Sequence, residues 1–400
     1  MIPRRRLPLN CADAALALAS LSRSDAQSAA AIMEFEAAFA ARMQVPHAIA
    51  TSSGRDALCL IVDALGLAVG DEIIVPAYTL GELLPLLAAR GLTCVPADID
   101  PATFNITVDS VRQRIGPRTR ALLALHELGA PCDVLALNML AERHGIALIE
   151  DCAHAPGASV AGRPVGGIGT AALFSLEANK ALCAFGGGVV TTRDGMLAAR
   201  IRAAIATRPR RRGPALRKYV FKMIEEVGVR SPLYALAARL LFAPRRAGAF
   251  EAFYRRANQR MRLPDAFSGV QACWALRRLD ALEARNDRLA PPWELFAKNL
   301  PQGFIPQTRD SFGMPVFYNF VARFTGDVGA LRQAAQRRGL DLGIGGEVMD
   351  DCARLLGYAD CPGAALAFRQ AVLIPCWDGM DDRTARLVLA RLAAAVQDLA

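Results

Sequence analysis

The chain has 400 residues and a mass of 42.8 kDa, which predicts one large domain and a smaller one. Hydrophobic residues make up 53% of the sequence and charged residues 21%, and these fractions exclude a disordered chain. The net charge of +9 comes from arginines that are scattered rather than clustered with aromatic residues, so we expect no nucleic-acid partner. Such an excess of positive charge suits anionic small substrates, and the composition favours a soluble enzyme.

Residues 1–44 predict an N-terminal helical segment that packs with the smaller domain. The segment begins with a basic stretch, MIPRRRLPLN, followed by small apolar residues, as a secretory signal does. Polar residues interrupt the apolar stretch, which then runs into the helical pattern EFEAAFAARM. We therefore expect no cleaved signal.

The ten cysteines show no CxxC spacing, and no histidine stands at metal-ligand spacing from a pair of them. Several lie inside apolar runs, such as Cys59 and Cys94, where a thiol behaves as a small buried hydrophobe. We expect no metal site, and a reducing cytoplasm is the compartment that fits.

Residues 45–204 alternate short apolar runs with helical patterns and predict the large domain. Strands are predicted at 71–76, 92–99, 120–125, 145–151, 170–175 and 187–192. Helices are predicted near 55–66, 80–90, 108–115 and 133–144. This alternation is typical of an α/β fold with a mostly parallel sheet, in which ligands bind at the carboxyl ends of the strands.

Residues 205–262 break the alternation and predict a basic and apolar insertion or arm. It contains a basic run at 208–218 and an apolar helix near 231–243. These stretches could contact an anionic membrane surface, but the apolar helix has few charges on its polar face. We favour packing against the chain itself or a second subunit.

Residues 263–400 predict a smaller α+β domain. Long helices rich in Ala, Leu and Arg are expected near 267–289, 328–338 and 382–399. Weaker strand patterns occur at FYNFVARF and AVLIP.

Two motifs of the large domain carry polar groups where strands end. The turn TSSGRDALCL (51–60) opens a helix whose backbone N–H groups suit a phosphate, although an ordinary helix cap has the same pattern. In IEDCAHAPGA (149–158), Glu150 and Asp151 end a strand, where a buried carboxylate needs a positive partner. The alternatives are a helix cap or surface ion pair, or a partner for the protonated ring nitrogen of a cofactor with His154 as a second contact. His126 and His144 we take as structural.

Lys180 is the only lysine in the first 217 residues of a chain that otherwise uses arginine. An amine can lose its proton and attack a carbonyl, whereas a guanidinium does not deprotonate; chance is the alternative explanation. Ser175 lies five residues earlier at a strand end, and Gly186, Gly187 and Gly188 allow a sharp turn or close approach. Phosphate turn, strand-end Asp, Ser and Lys together match the needs of pyridoxal 5′-phosphate (PLP).

Several segments, in order and spacing, resemble the DegT/DnrJ/StrS family of PLP-dependent sugar aminotransferases. They are FEAAFAARMQVPHAIATSSGRDAL, GDEIIVPAYTL, VPADIDPATFNI, TRALLALHELGAPCDV, IEDCAHAPGA, GRPVGGIGTAALFSLEANK and GGGVVTT. The resemblance implies a fold-type-I transferase that is normally a homodimer with active sites at the subunit interface. It also implies a role for each matched residue: Lys180 for the Schiff base, Asp151 for the pyridinium nitrogen, His154 beside the phenolic oxygen, and Gly54, Arg55 and Ser175 for the phosphate.

The chain departs from the family pattern around the cofactor. Arg55 stands where the family usually has Thr, and Leu80 replaces the aromatic that stacks on the ring, with Tyr78 two residues away as a candidate substitute. The usual Gly-Glu-Gly-Gly is Phe185-Gly186-Gly187-Gly188 here.

Two further departures concern the partner subunit and the substrate. In the family, the Asn of an Asn-x-Arg-Met element reaches the cofactor of the partner subunit. The similar element at 258–261 is offset in spacing from the segment that follows it, so we do not transfer that role to it. GLDLGIGGEVMDDC replaces the His-Tyr-Pro segment often found near the sugar.

The resemblance implies transamination from glutamate to a keto group of a nucleotide- or lipid-phosphate-linked sugar, in cell-surface polysaccharide or secondary-metabolite biosynthesis. Lys180 would move the proton as general base and acid. A sugar dehydratase is one alternative, but the resembling dehydratases have His in place of the lysine. A PLP-binding regulatory protein without turnover is another, and Lys180 together with Asp151 argues against it.

Overall fold

The computed structural model describes residues 1–7, 9–231, 234 and 265–399. Within these ranges the helices are α1 (Cys11–Leu21), α2 (Asp25–Arg42), α3 (Gly54–Leu65), α4 (Leu84–Ala88), α5 (Val108–Arg114), α6 (Val134–His144), α7 (Gly195–Ala206), α8 (Gly213–Arg230), α9 (Gly269–Asp280), α10 (Leu282–Asn299), α11 (Val328–Arg337), α12 (Cys352–Leu355), α13 (Pro362–Gln370) and α14 (Asp382–Gln397). The strands are β1 (His47–Thr51), β2 (Glu72–Pro76), β3 (Tyr78–Thr79), β4 (Thr93–Ala97), β5 (Thr119–Leu125), β6 (Ala147–Asp151), β7 (Ser159–Val160), β8 (Arg163–Pro164), β9 (Ala171–Ser175), β10 (Gly188–Thr192), β11 (Phe304–Pro306), β12 (Phe320–Phe324), β13 (Gly343–Ile344), β14 (Asp350–Asp351) and β15 (Ala371–Ile374). Most of the predicted apolar helix near 231–243 and the whole of the 258–261 element lie outside the described residues.

The large sheet has seven strands in the order β1-β10-β9-β6-β5-β2-β4. Neighbouring strands from β9 to β4 run parallel, whereas β10 is antiparallel to both β9 and β1. Strand β10 is therefore the single reversed strand of the sheet. The predicted mostly parallel α/β sheet is present.

Helices cover both faces of this sheet and enclose two hydrophobic cores. In β5, Leu122 and Ala124 join the core under α2, α5, α6 and α9, while Ala121 and Leu123 join the core under α3, α4 and α7. Successive side chains of a strand point to opposite faces, so a strand buried on both sides is apolar throughout. This is why the six predicted strands read as continuous apolar runs and correspond to β2, β4, β5, β6, β9 and β10.

Strand β1 was not among the predicted strands. Its sequence, HAIAT, contains a single large apolar residue and two alanines, which have weak strand propensity. Its pairing with β10 over His47–Thr51 and the covering helices α2 and α7 fix it instead. Contacts with neighbouring elements, and not the local sequence, therefore determine that this segment is a strand.

The first helices pack on α9 and on the sheet. Phe39 contacts Phe174 of β9 with ring centroids 4.9 Å apart, so α2 belongs to the core of the large sheet. The buried carboxylate of Asp13 in α1 accepts a hydrogen bond of 3.0 Å from the buried Arg278 of α9. Trp274 of α9 donates from its indole N–H to the Asp13 carbonyl at 3.0 Å.

The smaller sheet has four antiparallel strands in the order β11-β12-β15-β13, flanked by α10, α11 and α14. The helix predicted near 267–289 is in fact two helices, α9 and α10, with a break at Ala281. Helix α10 continues through Pro291 and Pro292 because its apolar face, with Trp293 and Phe296, is buried in the core of the smaller domain.

No helix among the described residues is both long enough and apolar enough to cross a membrane.

The carboxyl end of β6 is fixed by a buried carboxylate. Glu150 accepts hydrogen bonds from the backbone N–H groups of Gly166, Ile168 and Gly169 at 2.8, 2.9 and 2.7 Å, and its Oε2 lies 3.2 Å from Nε2 of His126. Although burial opposes ionisation, the His126 ring and these N–H groups lower the pKa of Glu150. His126 is completely buried in this network, in keeping with a structural role.

Replacing Glu150 with alanine should lower the free energy of unfolding by about 3–5 kcal/mol, because three buried N–H groups and a buried imidazole would lose their acceptor. Urea denaturation followed by circular dichroism measures this change. The matched control is Glu142→Ala on the exposed side of α6, with an expected loss below about 0.5 kcal/mol. Equal losses for the two variants would contradict the structural role of Glu150.

Candidate active site

A cavity of about 430 Å³ opens at the carboxyl ends of β2, β5, β6 and β9, between the large sheet and the smaller domain. Open α/β sheets bind ligands at this edge. The large domain and the N-terminal segment contribute Arg5, Thr79, Leu80, Glu82, Leu125, Leu128, Asp151, Ala153, His154, Asn179 and Lys180. The smaller domain contributes Tyr318, Asn319, Arg332, Ile344, Gly346, Glu347, Val348, Met349 and Asp350.

Lys180 lies in the loop that follows β9. Its backbone N–H donates to the Glu177 carbonyl at 2.9 Å, which closes a tight turn. The Glu177 carboxylate in turn accepts a 2.6 Å hydrogen bond from Lys218 of α8, so the loop is held from outside the cavity. The Lys180 amine lies 4.9 Å from the centroid of the Tyr318 ring.

Asp151 is the last residue of β6 and lies on the cavity wall with 6% of its surface exposed. Burial raises the pKa of its carboxyl group, and a 2.9 Å hydrogen bond from the Ala153 N–H opposes this shift. A carboxylate in such a place is stabilised by a cationic ligand group, because the charge is costly to bury alone.

His154 and Tyr318 form a stacked pair across the cavity wall. Their ring centroids are 4.3 Å apart and the ring planes differ by 16°. Burial, followed by the positive charges of Lys180 and Arg5, holds the pKa of His154 well below its ordinary value, so the imidazole is neutral. Burial opposes ionisation of Tyr318, but the charges of Lys180 and Arg5 outweigh it and lower the pKa of the phenol.

The hydrogen bonds of His154 fix its tautomer. The backbone N–H of Leu128 donates to Nδ1 at 3.4 Å, so the ring proton lies on Nε2. Glu127 Oε1 is also 3.4 Å from Nδ1, and neither of its buried oxygens has a hydrogen-bond partner within the described residues. Burial, and then the charge of Asp151, raises the pKa of Glu127 to about 8. A protonated Glu127 therefore supports the same tautomer.

Gly54 and Ser175 meet at the beginning of α3. A Cβ atom on Gly54 would lie 3.0 Å from the Ser175 Cβ, so only glycine lets the helix start this close to the end of β9. At the first turn of α3, the Asp56 N–H donates to the Ser53 hydroxyl at 3.1 Å, whereas the N–H group of Arg55 has no acceptor among the described residues. The Ser175 hydroxyl stands beside this turn. Gly187, with φ 103°, brings the chain back next to this turn through a hydrogen bond from its N–H to the Ser52 carbonyl.

The predicted site residues fall into two groups. Asp151, His154 and Lys180 line the cavity together. Gly54, Arg55 and Ser175 are not among its lining residues; Gly54 and Ser175 form the turn beside it, and Arg55 pairs with Glu82, which does line it.

These two groups fit PLP. A primary amine, a buried carboxylate and a neutral imidazole lie in one cavity, and a helix-opening turn next to a serine suits the phosphate. The sequence motifs predicted these three side chains and the glycine-containing turn.

The position of Tyr78 corrects one expectation. Its side chain is completely buried beside Phe104 in an apolar cluster behind the cavity wall, and it is not among the residues that line the cavity, so it cannot substitute for the ring-stacking aromatic. Leu80, 40% exposed, does line the cavity. The aromatic ring in the wall comes from Tyr318 of the smaller domain.

Tyr318, Glu127 and Arg5 were missed by sequence reasoning. Tyr318 lies in FYNFVARF, which was noted only as a weak strand pattern, and Glu127 follows a histidine taken as structural. Their proximity to Lys180 depends on contacts between distant segments, which no local pattern reports. The segment 339–352, which stands in place of the His-Tyr-Pro segment, does reach the cavity through Ile344, Gly346 and Glu347.

One cluster resembles a metal site in composition. Ligand atoms of His126, Glu150 and Cys152 lie within 4.8 Å of one another in the buried core. The hydrogen bonds to Glu150 described above already account for this cluster.

A model of the DegT/DnrJ/EryC1/StrS aminotransferase family matches residues 12–263. The chain belongs to this family. Its cofactor is PLP, and the expected family, fold class and cofactor are thereby confirmed.

Two named relatives are similar to this chain over a long segment of sequence. A GDP-perosamine synthase of Caulobacter vibrioides is 41% identical over 171 residues, covering 43% of this chain and 46% of that protein. A dTDP-3-amino-3,4,6-trideoxy-alpha-D-glucose transaminase of Streptomyces venezuelae is 44% identical over 171 residues, covering 42% of this chain and 45% of that protein. The matched segment thus spans less than half of either relative.

Among solved structures, DesV of S. venezuelae in complex with a ketimine intermediate has a TM-score of 0.74 and 26% identity. The likeness covers 97% of this chain and 98% of DesV. The aminotransferase TlmJ of Streptoalloteichus hindustanus, at 22% identity, has a TM-score of 0.78 and covers both chains completely. The fold therefore extends through the smaller domain, beyond the segment of high sequence identity.

Glu127→Gln should change how stability depends on pH. An acid whose pKa is higher in the folded state than in the unfolded state keeps its proton only when folded, so the protein loses stability as pH rises from about 4.3 to about 8. Relative to the unsubstituted protein, the variant should gain about 1 kcal/mol per pH unit across this window. Urea denaturation of the cofactor-free protein at about pH 5, 6.5 and 8 measures the difference.

The exposed Glu142→Gln is the control, with no expected pH-dependent difference. A stability difference for Glu127→Gln that stays constant from pH 5 to pH 8 would contradict the raised pKa.

Proposed function

We propose that this protein is a PLP-dependent aminotransferase that moves an amino group from glutamate to a keto group on a sugar or sugar-like substrate. The observation that supports it most directly is the meeting of Lys180, Asp151 and His154 in one cavity at the carboxyl edge of the sheet. The sugar would carry a nucleotide, as the names of the GDP- and dTDP-linked relatives suggest, or a lipid phosphate. Such products serve polysaccharide or secondary-metabolite biosynthesis.

The proposed cofactor contacts follow from the chemistry of the side chains. Lys180 would hold the aldehyde carbon, the buried Asp151 carboxylate would face the ring nitrogen, and Nε2–H of His154 would donate to the phenolic oxygen. The turn of Gly54, together with Ser175, would hold the phosphate. When bound, PLP withdraws electrons from the substrate carbon that loses a proton.

Lys180 is the group that would carry the proton. A primary amine that is free of its covalent bond accepts a proton from one carbon and returns it to another, as a general base and acid. The Tyr318 phenol, whose pKa is lowered chiefly by the positive charge of Lys180 against the effect of burial, lies beside this amine.

Lys180→Ala should abolish the response of the bound cofactor to glutamate. The visible absorbance band of the cofactor-loaded protein should bleach on addition of glutamate, and in the variant the rate should fall by about 10²- to 10⁴-fold or more. Stopped-flow absorbance measures the rate, and retention of PLP is checked separately by fluorescence. The control is Lys298→Ala, which removes a surface lysine of α10.

A Lys180→Ala protein that transaminates at the original rate would refute the proposed function. An unsubstituted protein that binds PLP but does not respond to any amino donor would favour the regulatory alternative.

We also propose that the protein is a cytoplasmic homodimer. All ten cysteines lie among the described residues and are free thiols, which supports a reducing compartment. Helix α8 carries an apolar stripe of Phe221, Ile224 and Val227, which are 63%, 63% and 65% exposed. These residues are three apart on one helical face, and a second subunit is the occupant we propose for them.

Ile224→Asp should shift the protein from dimer to monomer, because it places a charge in the middle of this apolar stripe. Sedimentation velocity at micromolar concentration measures the mass. Met196→Asp on α7, where the side chain is 68% exposed, is the matched control and should leave the dimer intact. Dimers of unchanged affinity in Ile224→Asp would place the subunit interface elsewhere.

A further inference from the structure

Three consecutive arginines near the N-terminus have three different environments. Arg4 donates from Nε to Asp341 at 3.0 Å and from Nη1 to Glu347 at 2.9 Å. Arg6 lies over the Trp377 ring, 5.2 Å from its centroid. Arg5, between them, lines the catalytic cavity.

The backbone around Arg5 is fixed by the smaller domain. Ile2 forms a bridge with Leu340, in which its N–H donates to the Gly339 carbonyl at 2.8 Å and its carbonyl accepts from the Asp341 N–H at 3.0 Å. With Arg4 anchored before it and Arg6 over the Trp377 ring after it, Arg5 is held on both sides along the chain. The residue is therefore presented to the cavity by a strand-like edge and not by a loose end.

Arg5 has no ion-pair partner within the part of the chain that the structure describes, and its Nε is buried without a hydrogen bond. The neighbouring charged groups of the wall do have partners. Arg332 bonds to Glu347 at 3.1 Å, and Glu82 pairs with Arg55. A buried guanidinium nitrogen without an acceptor is costly, and an anionic ligand would remove that cost.

Arg5 and Lys180 both act electrostatically on the rings of His154 and Tyr318. After burial, the charges of Lys180 and Arg5 are the next largest influences on the pKa of His154, and the same two cations lower the pKa of Tyr318. Amine and guanidinium are thus both close enough to the His154–Tyr318 stack for their charges to act on both rings.

We propose that Arg5 binds the α-carboxylate of the amino donor. This inference rests on the proposed transamination, in which the donor's α-carbon must reach the Lys180 amine. The carboxylate is bonded directly to that carbon and so must lie within a few ångströms of Lys180, on the wall that holds Arg5. A guanidinium binds a carboxylate through two parallel N–H···O bonds, which fixes the orientation of the donor as well as its affinity.

A phosphate of a nucleotide-linked sugar is the competing occupant. The whole sugar ring separates that phosphate from the keto carbon, whereas Arg5 is close to the rings beside Lys180. The spacing therefore favours the donor carboxylate over the phosphate.

Arg5→Gln tests the proposal, and Arg6→Gln is the matched control because the adjacent arginine lies over the Trp377 ring and is not among the residues that line the cavity. Calorimetry measures the Kd of 2-oxoglutarate for the PLP-loaded protein without an amino donor, so that no turnover occurs. Loss of a bidentate charged hydrogen bond should raise this Kd about 10- to 100-fold in Arg5→Gln. Arg5→Lys keeps the positive charge but loses the two parallel N–H donors, so its Kd should lie between those of the unsubstituted protein and Arg5→Gln.

Stopped-flow bleaching by glutamate gives a second readout. The half-saturating glutamate concentration should rise in Arg5→Gln by a factor similar to that for the Kd, and Arg6→Gln should leave it unchanged. Thermal unfolding of each variant shows whether it is folded. If Arg5→Gln is not folded, the measurements on Arg5→Lys decide the proposal.

Each remaining outcome decides the matter. Unchanged 2-oxoglutarate and glutamate binding in Arg5→Gln would overturn the proposal. If the Kd of inorganic phosphate, measured by the same calorimetry, is the only one that rises, Arg5 belongs to a phosphate site instead. If the unsubstituted protein fails to respond to glutamate, the proposed function fails first. If it responds and Arg5→Gln behaves identically, only the role of Arg5 is wrong.

Discussion

Two adjacent carboxylates leave strand β6 on opposite faces of the sheet, and the rest of the site depends on that alternation. Glu150 turns into the core and accepts three backbone N–H groups, which fixes where the strand ends. Asp151, one residue later, is thereby placed on the cavity wall. A shift of the register by one residue would put Cys152 in the place of Asp151, or Ile149 in the place of Glu150, so either the cavity or the core would lose its carboxylate. The end of β6 thus stabilises the core and also forms part of the cavity wall.

The ionisable groups that line the cavity, and the buried Glu127 beside it, have pKa values shifted in opposite directions. Glu127, buried and close to Asp151, holds its proton up to about pH 8, whereas the charges of Lys180 and Arg5 ease the ionisation of Tyr318 against the effect of burial. His154 stays neutral between them, chiefly because it is buried. A site of this kind can accept a proton at one position and supply one at another without a change in its total charge, a property expected of an enzyme that returns a proton to a different carbon.

The sequence predicts the large domain well because its strands are buried on both faces, which makes each of them a continuous apolar run with a polar residue at its end. Asp151 and Lys180 follow from that arrangement, since strand ends of a parallel sheet meet at one edge. Tyr318 and Arg5 do not follow, because the smaller domain and the N-terminal segment bring them to the cavity across more than 130 residues of chain. Tyr78 was the wrong aromatic for the same reason: its proximity to Leu80 along the chain says nothing about which face it occupies. The continuation of α10 through Pro291 and Pro292 likewise depends on burial and not on helix propensity.

The bridge between Ile2 and Leu340 has a consequence for handling the protein. Because this pairing begins at the second residue, any peptide fused ahead of Met1 is tethered only a few residues from a wall of the cavity. A bulky or strongly charged extension at that end would compete with the Arg4 contacts to Asp341 and Glu347 and could alter the apparent affinity for ligands without touching the sheet. Constants measured on protein from which such an extension has been removed therefore describe the native site.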